Sequence, residues 1–462
     1  MKSICKMRSL SLVVVLCFLS PIILPGIFPV AIWAQSAASL AKHQKIYKDG
    51  PYLFLNPDNS VRMIACEGFS SRKTPHTLLD TVYSNLAVLG DFKVADDKGH
   101  WSFTVKNASL RGNKKEVGQL AVAQNKRDAN RFKTAAGPNE SLVQHSPLAS
   151  GEKIFTISDS HGNFKNFIAI LKKGGVINEN LEWNYGKSKL VIIGDTFDRG
   201  NDVLAILWLI YTLEEQASAV GGTVSYLLGN HDNMVLKGDL RYIKSKYKKL
   251  QDTLKMPYQQ FFSAQTLLGN WLRSKKSIEI IGNTLFVHGG ISSAFAKSGI
   301  SIERANRLIG KYLDTPKSLY AGATAAAGTA ATHEKSSGAA GTAAIGSSAA
   351  PVAPGTNDFR HSEDTLAMVQ FLFGSDGPLW YRGLVSSKPE YNPITEPELA
   401  AILKQYGVAR IVVGHTTFEG IQFHHNGKVI SVDSKNEALD IDHLAQGLQI
   451  SGNTTGILSL NE

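Results

Sequence analysis

Five polar clusters in the 462-residue chain hold residue types that bind metals, grip anions and move protons. They are Asp159-Ser160-His161-Gly162, Gly194-Asp195-Thr196-Phe197-Asp198-Arg199-Gly200, Gly229-Asn230-His231-Asp232, His288-Gly289-Gly290 and Gly414-His415-Thr416. Each alone has an ordinary explanation. The first reads as a solvated loop, the second as a turn closed by an Asp–Arg pair, and the third as a tight turn. A histidine after an apolar run reads as a satisfied core group. Five such clusters in one order, each directly after an apolar run, read as one site. Mixed carboxylate, imidazole and amide donors suit manganese, iron, zinc or cobalt. Calcium and magnesium favour all-oxygen shells. The scarcity of cysteine argues against a structural zinc centre. Two ions ~3.5–4 Å apart would need one bridging carboxylate.

Each cluster needs a strand to aim it. Residues 153–158, 189–193, 223–228, 284–287, 409–413 and 429–432 are short apolar runs that read as buried strands. Helical segments separate several of them. Phe164, Phe167, Ile168 and Leu171 recur at i, i+3, i+4 and i+7, with Gly174-Gly175 as the stop. Residues 203–213 are apolar nearly all round, which predicts a buried helix that ends by Gly221-Gly222. Strands joined by helices predict an α/β layered fold, with ligands at the carboxyl ends of strands. The catalytic region is expected over 151–450. Residues 37–150 differ: apolar runs at 52–55, 61–66 and 101–105 alternate with turn clusters such as Asn56-Pro57-Asp58-Asn59. They predict a small β-rich N-terminal region, followed by a polar connecting loop over 125–147.

At these residues the sequence resembles the calcineurin-like metallophosphoesterases and, more narrowly, the phosphoprotein phosphatase (PPP) family. That family's ordered signature is Gly-Asp-x-His-Gly, Gly-Asp-x-x-Asp-Arg-Gly, Gly-Asn-His-Glu, His-Gly-Gly, a later Arg-Gly and Gly-His. All six blocks occur in order between Asp159 and His415, with Ser158 in place of the first glycine and Asp232 in place of the glutamate. Aspartate at that place is also familiar from diadenosine-polyphosphate hydrolases. The block Asp376-Gly377-Pro378-Leu379-Trp380-Tyr381-Arg382-Gly383 and the opening Asp49-Gly50-Pro51-Tyr52 resemble the bacterial-type Shewanella-like phosphatases.

The resemblance implies a layered β-sandwich flanked by helices and two divalent transition metal ions, manganese foremost. It implies that Asp159, His161 and Asp195 hold one ion. Asp195, Asn230, His288 and His415 would hold the other, with Asp195 bridging. A hydroxide between the ions would attack phosphorus in line, without a phosphoenzyme. Arg199 and Arg382 would grip the phosphate oxygens. His231 would protonate the leaving oxygen, oriented by Asp198. The implied activity is that of a phosphomonoesterase acting on phosphoprotein (Ser/Thr or Tyr). The alternative is hydrolysis of nucleotides, dinucleotide polyphosphates or other small phosphoesters.

The rest of the chain sets the context. Lys2, Lys6 and Arg8 precede an apolar run over 10–30 and the small-residue stretch Ala31–Ala37. Residues 1–36 therefore read as a secretory signal peptide, cut after Ser36 or Ala34. No other stretch approaches the ~18–20 apolar residues of a membrane span, so no stable membrane anchor is expected after cleavage. The mature chain would keep Cys66 alone, in an apolar run that predicts a buried structural thiol. An exported protein without disulfides suits a bacterial periplasm. The net charge of +10 comes without a dense Lys/Arg block interleaved with aromatics, so nucleic acid is not an expected partner.

Residues 321–356 are of low complexity, mostly Ala, Gly, Ser and Thr with Pro351 and Pro354 near the end, and predict a surface loop inserted into the catalytic region. Such a stretch has too few large apolar side chains to offset its ordering entropy. Deleting 324–351 is expected to leave turnover of a small phosphate ester nearly unchanged. A melting curve showing loss of the folded protein would contradict that reading.

Overall fold

The architecture comes from a computed structural model. It describes residues 46–69, 75–84, 89–94, 98, 101–105, 145–315, 365–435 and 445–460. The segment read as a signal peptide, most of the polar loop over 125–147, and the insert at 321–356 lie outside the described residues. No helix among the described residues is long and apolar enough to cross a membrane.

The N-terminal strands are β1 (Ile46–Tyr47), β2 (Asp49–Leu55), β3 (Val61–Phe69), β4 (Pro75–Tyr83), β5 (Leu89–Val94) and β6 (Trp101–Val105). They form two antiparallel three-stranded sheets, β1-β6-β5 and β2-β3-β4. The following strands are β7 (His145–Ser146), β8 (Ile154–Ile157), β9 (Lys189–Ile193), β10 (Thr223–Leu227), β11 (Ile278–Ile281), β12 (Thr284–Val287), β13 (Arg410–Val413), β14 (Gln422–His424), β15 (Val429–Ser431), β16 (Gln446–Ser451) and β17 (Thr454–Ser459). They build a five-stranded sheet, β10-β9-β8-β16-β17, and a six-stranded sheet, β14-β15-β13-β12-β11-β7. Within the first, β8, β9 and β10 run parallel; within the second, β12, β13 and β15 do.

Side-chain alternation makes the layers. Ile154, Val191, Ile193 and Leu227 from one sheet meet Ile281, Phe286, Val412 and Ile430 from the other in a single buried cluster. The intervening Phe155, Ile157, Leu190 and Ile192 belong instead to the larger cluster that contains the helices. Period-two burial on both faces is what a sandwich covered by helices requires. Helix α1 (Phe164–Lys173) buries Phe164, Phe167, Ile168 and Leu171, the predicted stripe, and is capped by Asn163, whose side chain accepts from Asn166 N. Helix α2 (Val203–Ala219) is buried along most of its length, and Gly221 follows it at φ +80.

Strands β2 and β3 share the larger core. Tyr52, Leu53, Met63, Ile64 and Cys66 pack in the same cluster as Trp208 of α2, and Trp208 Nε1 donates to the Pro51 carbonyl at 3.1 Å. Cys66 is a buried free thiol, as its apolar run predicts, and burial pushes its pKa up.

Candidate active site

The chemical residues stand where strands end. Asp159, Asp195 and His415 each lie two residues beyond β8, β9 and β13. His288 directly follows β12, and Asn230 opens helix α3 (Asn230–Leu236) after β10. The turns that carry them are contorted. Asp159 (φ 50), His161 (φ 41), Asp195 (φ 52), Asp198 (φ 71), Arg199 (φ 58) and His415 (φ 66) all adopt the left-handed region. That region disfavours residues with a Cβ and costs of order 1–3 kcal/mol each, so the surroundings must enforce it. Gly229 shows how tight those surroundings are: a Cβ there would collide with Asp195 Oδ1.

Ring tautomers reveal what the cluster is built to hold. His161 Nδ1 lies 2.7 Å from the Phe197 carbonyl. A carbonyl only accepts, so Nδ1 carries the proton. Burial lowers the His161 pKa to about 3, which keeps the ring neutral. Its Nε2 lone pair then faces Asp195 Oδ2 at 3.7 Å and Asp159 Oδ1 at 3.9 Å. A lone pair aimed at two carboxylates is a donor set for a cation. His288 repeats the pattern. Its Nδ1 donates to the Ile193 carbonyl at 2.8 Å, while Nε2 faces Asn230 Oδ1 at 2.9 Å and Asp195 Oδ2 at 3.3 Å. Burial opposes a charge on that ring, yet Asp195 and Asp159 raise its pKa to about 10. The surrounding oxygens demand a positive charge at Nε2, and a metal ion can take the place of that proton. His415 donates through Nε2 to the Trp380 carbonyl at 3.1 Å, which leaves its other nitrogen as an acceptor.

Candidate donor atoms of Asp195, His288 and His415 lie within 4.8 Å of one another, as do those of His161, Asp195 and His231. Asp195 belongs to both groups. Asp159 joins them by accepting from His415 N at 3.0 Å. The two groups are compatible with a dinuclear metal centre.

Proton and anion groups adjoin it. His231 Nδ1 lies 2.6 Å from Asp198 Oδ2. Arg199 Nη2 lies 3.4 Å from His231 Nε2. Burial disfavours a charge on His231, but the carboxylates of Asp195 and Asp198 outweigh it and raise its pKa. Arg382 is tethered through Nη1 alone, to the His415 carbonyl at 2.8 Å and Thr416 Oγ1 at 3.0 Å. Its planar fork keeps other N–H groups for an anion. The fold thus brings all ten residues named from the sequence into one contiguous cluster.

Comparison with known proteins fits this geometry. Residues 152–320 match the calcineurin-like phosphoesterase family. The chain carries a calcineurin-like metallophosphoesterase domain. A cold-active protein-tyrosine phosphatase from a psychrophilic Shewanella species has a similar crystal structure. The TM-score is 0.61 at 26% identity, covering 89% of this chain and 99% of that one. The Shewanella-like protein phosphatase 2 of Arabidopsis thaliana is 25% identical over 34% of this chain and 50% of its own length. A symmetrical bis(5'-nucleosyl)-tetraphosphatase of Nitrosospira multiformis is 29% identical over 34% of this chain and 48% of its own. The chain therefore spans about half the length of these two curated relatives.

One residue of the phosphoesterase domain has a part that its sequence position did not disclose. Asp232 marks only a departure from the family signature when read in the sequence. In the fold it is fully buried, and its carboxylate accepts from four backbone N–H groups. They are Gly229 at 2.8 Å, Asp195 at 3.2 Å, Thr196 at 3.1 Å and Phe197 at 3.4 Å. It shapes the loop that carries Asp195. Asp232→Asn would turn an acceptor into a donor facing N–H groups. A loss of about 2–4 kcal/mol is expected from the buried groups left unpaired, read as a fall in Tm. An unchanged Tm would deny the role.

Proposed function

We propose that the protein is a manganese-dependent phosphatase whose substrates are phosphorylated proteins. One observation carries the reading: Asp195 Oδ2 faces both His161 Nε2 and His288 Nε2, with the His231–Asp198 pair and Arg199 beside them. Two divalent ions there would supply Lewis-acid activation of phosphate and of the attacking water. The chain's own residues do the rest. Arg199 and Arg382 would hold the phosphate oxygens bidentately and fix its orientation. His231, whose pKa the carboxylates of Asp195 and Asp198 raise against burial, would give its proton to the leaving oxygen. The similarity to the cold-active tyrosine phosphatase supports a phosphoprotein substrate. The similarity to the tetraphosphatase supports the second reading, hydrolysis of dinucleotide polyphosphates. The N-terminal cations and apolar run support export by a cleaved signal peptide to a periplasm.

The test compares kcat/KM of the manganese-loaded protein on a phosphotyrosine peptide, a phosphoserine peptide and diadenosine tetraphosphate. The phosphopeptides should be preferred. A higher value for the dinucleotide would transfer the protein to the second reading. Export is checked by the mass of the chain recovered from the periplasmic fraction.

A further inference from the structure

Strand β2 is remote in sequence from the chemistry, and its Asp49-Gly50-Pro51-Tyr52 opening has no part in the site described above. Its side chains nevertheless lead to the catalytic loop. Asp49 is 3% exposed and Lys246 6%, with Lys246 Nζ 3.6 Å from Asp49 Oδ2. Asp49 Oδ1 also accepts from Gly50 N at 3.2 Å and from the Tyr52 hydroxyl at 3.3 Å. Lys246 lies in the first turn of helix α4 (Ser245–Leu254), and the next residue is the buried Tyr247. The Tyr247 hydroxyl donates to the Asn201 carbonyl at 2.7 Å and accepts from Val203 N at 3.2 Å. Both atoms belong to the segment that directly follows Asp198 and Arg199. A second contact from β2 reaches the same place. Helix α2 starts at Val203, and its Trp208 donates to the Pro51 carbonyl at 3.1 Å.

Asp198 and Arg199 sit at φ 71 and 58, a shape that persists only where neighbours over-determine it. A hydroxyl that both donates and accepts fixes two backbone groups of that segment at once. The buried ion pair fixes the helix that presents the hydroxyl. Breaking one partner of such a pair leaves an uncompensated charge, which makes its geometry specific.

We propose that Tyr247 is a positioning residue that holds the Asp198–Arg199 turn in its strained shape, braced by strand β2 through the Asp49–Lys246 pair. It touches no substrate. It keeps the Asp198 carboxylate on His231 and the Arg199 guanidinium beside that ring. The inference deepens the phosphatase reading and rests on it only for its kinetic arm.

Hydrogen exchange of the peptide spanning 198–203 is the arm that needs no turnover. In Tyr247→Phe its amides should exchange about tenfold faster, as local protection is lost, while β8 and β9 stay as protected as before. Asp49→Asn cuts the outer link and leaves the Tyr247 hydroxyl in place. It should speed the same amides by a smaller factor, and no change there would overturn the part given to β2. In the kinetic arm, kcat/KM on nitrophenyl phosphate is measured for wild type, Tyr247→Phe, Arg199→Ala and the double variant. Tyr247→Phe should cost about tenfold in the wild type and less than about twofold in Arg199→Ala, because residues acting through one another are not additive. Unchanged exchange over 198–203 overturns the proposal, and so does an equal kinetic loss in both backgrounds. A wild type inert to every phosphoester, with faster exchange in Tyr247→Phe, would sink the phosphatase reading and still support the brace.

Discussion

Asp195→Asn should lower kcat/KM by about 10³-fold or more, since Lewis-acid stabilisation of the transition state is worth several kcal/mol. The substitution keeps the shape of the side chain and removes its charge. Asp195 faces His288 Nε2 at 3.3 Å and His161 Nε2 at 3.7 Å, and its other oxygen accepts from His231 N at 2.9 Å. Burial alone would raise its pKa, but His288, His231 and His161 outweigh burial and hold the carboxyl well below its ordinary range. Its neighbours therefore favour the ionised carboxylate. An amide in its place cannot neutralise two ions. Elemental analysis should find about two ions per wild-type chain and at most one in the variant. Two ions retained with full turnover would remove Asp195 from its shared position.

His231→Asn should lower kcat on phosphoserine peptides by about 10²–10⁴-fold, the usual contribution of a general acid. Metal content should be unchanged, because His231 Nδ1 is committed to Asp198 and its Nε2 lies against the Arg199 guanidinium. The loss should shrink on nitrophenyl phosphate, whose leaving anion needs little protonation. The pH dependence follows from sign. The acid must be protonated, and Asp195 and Asp198 raise its pKa above the ordinary 6.5 against the opposing effect of burial. Wild-type turnover of phosphoserine should thus persist above pH 6.5 and fall as pH rises through the raised value. His231→Asn should lack that limb. Loss of one ion in the variant would instead make His231 a ligand, a role its distance from His161 and Asp195 permits.

The strands that carry the site were legible because they are buried on both faces. The apolar runs at 189–193 and 284–287 coincide with β9 and β12, and 153–158, 223–228, 409–413 and 429–432 each enclose a strand shorter by one or two residues. Runs such as Leu190–Ile193 and Ile411–Val413 leave little room for another reading. The hairpin of β16 and β17 escaped notice for the opposite reason. Its outer strand, Thr454–Ser459, is largely exposed or half-buried and carries Thr and Gly, so no apolar run marks it. Strand β11, one tight Gly282-Asn283 turn before β12, was not among the runs read from the sequence. Among site residues, the ligand types were plain from their kind and order. The parts of Tyr247 and Asp232 were not, since each acts on backbone atoms, and backbone hydrogen bonds have no signature in side-chain sequence.

The division of the donor atoms between two sheets has a further consequence. Asp159 and Asp195 extend from β8 and β9 of one sheet; His288 and His415 extend from β12 and β13 of the other. Any ion that these groups share is a rivet between the halves of the sandwich, and unfolding must break it. Metal supply and folding are then linked equilibria. An ion at a hundred times its Kd would add about 2.7 kcal/mol of stability, and chelation would withdraw it. Such a protein reports the free metal of its compartment through its own lifetime: where the ion is scarce, the chain loses its activity and its resistance to unfolding together.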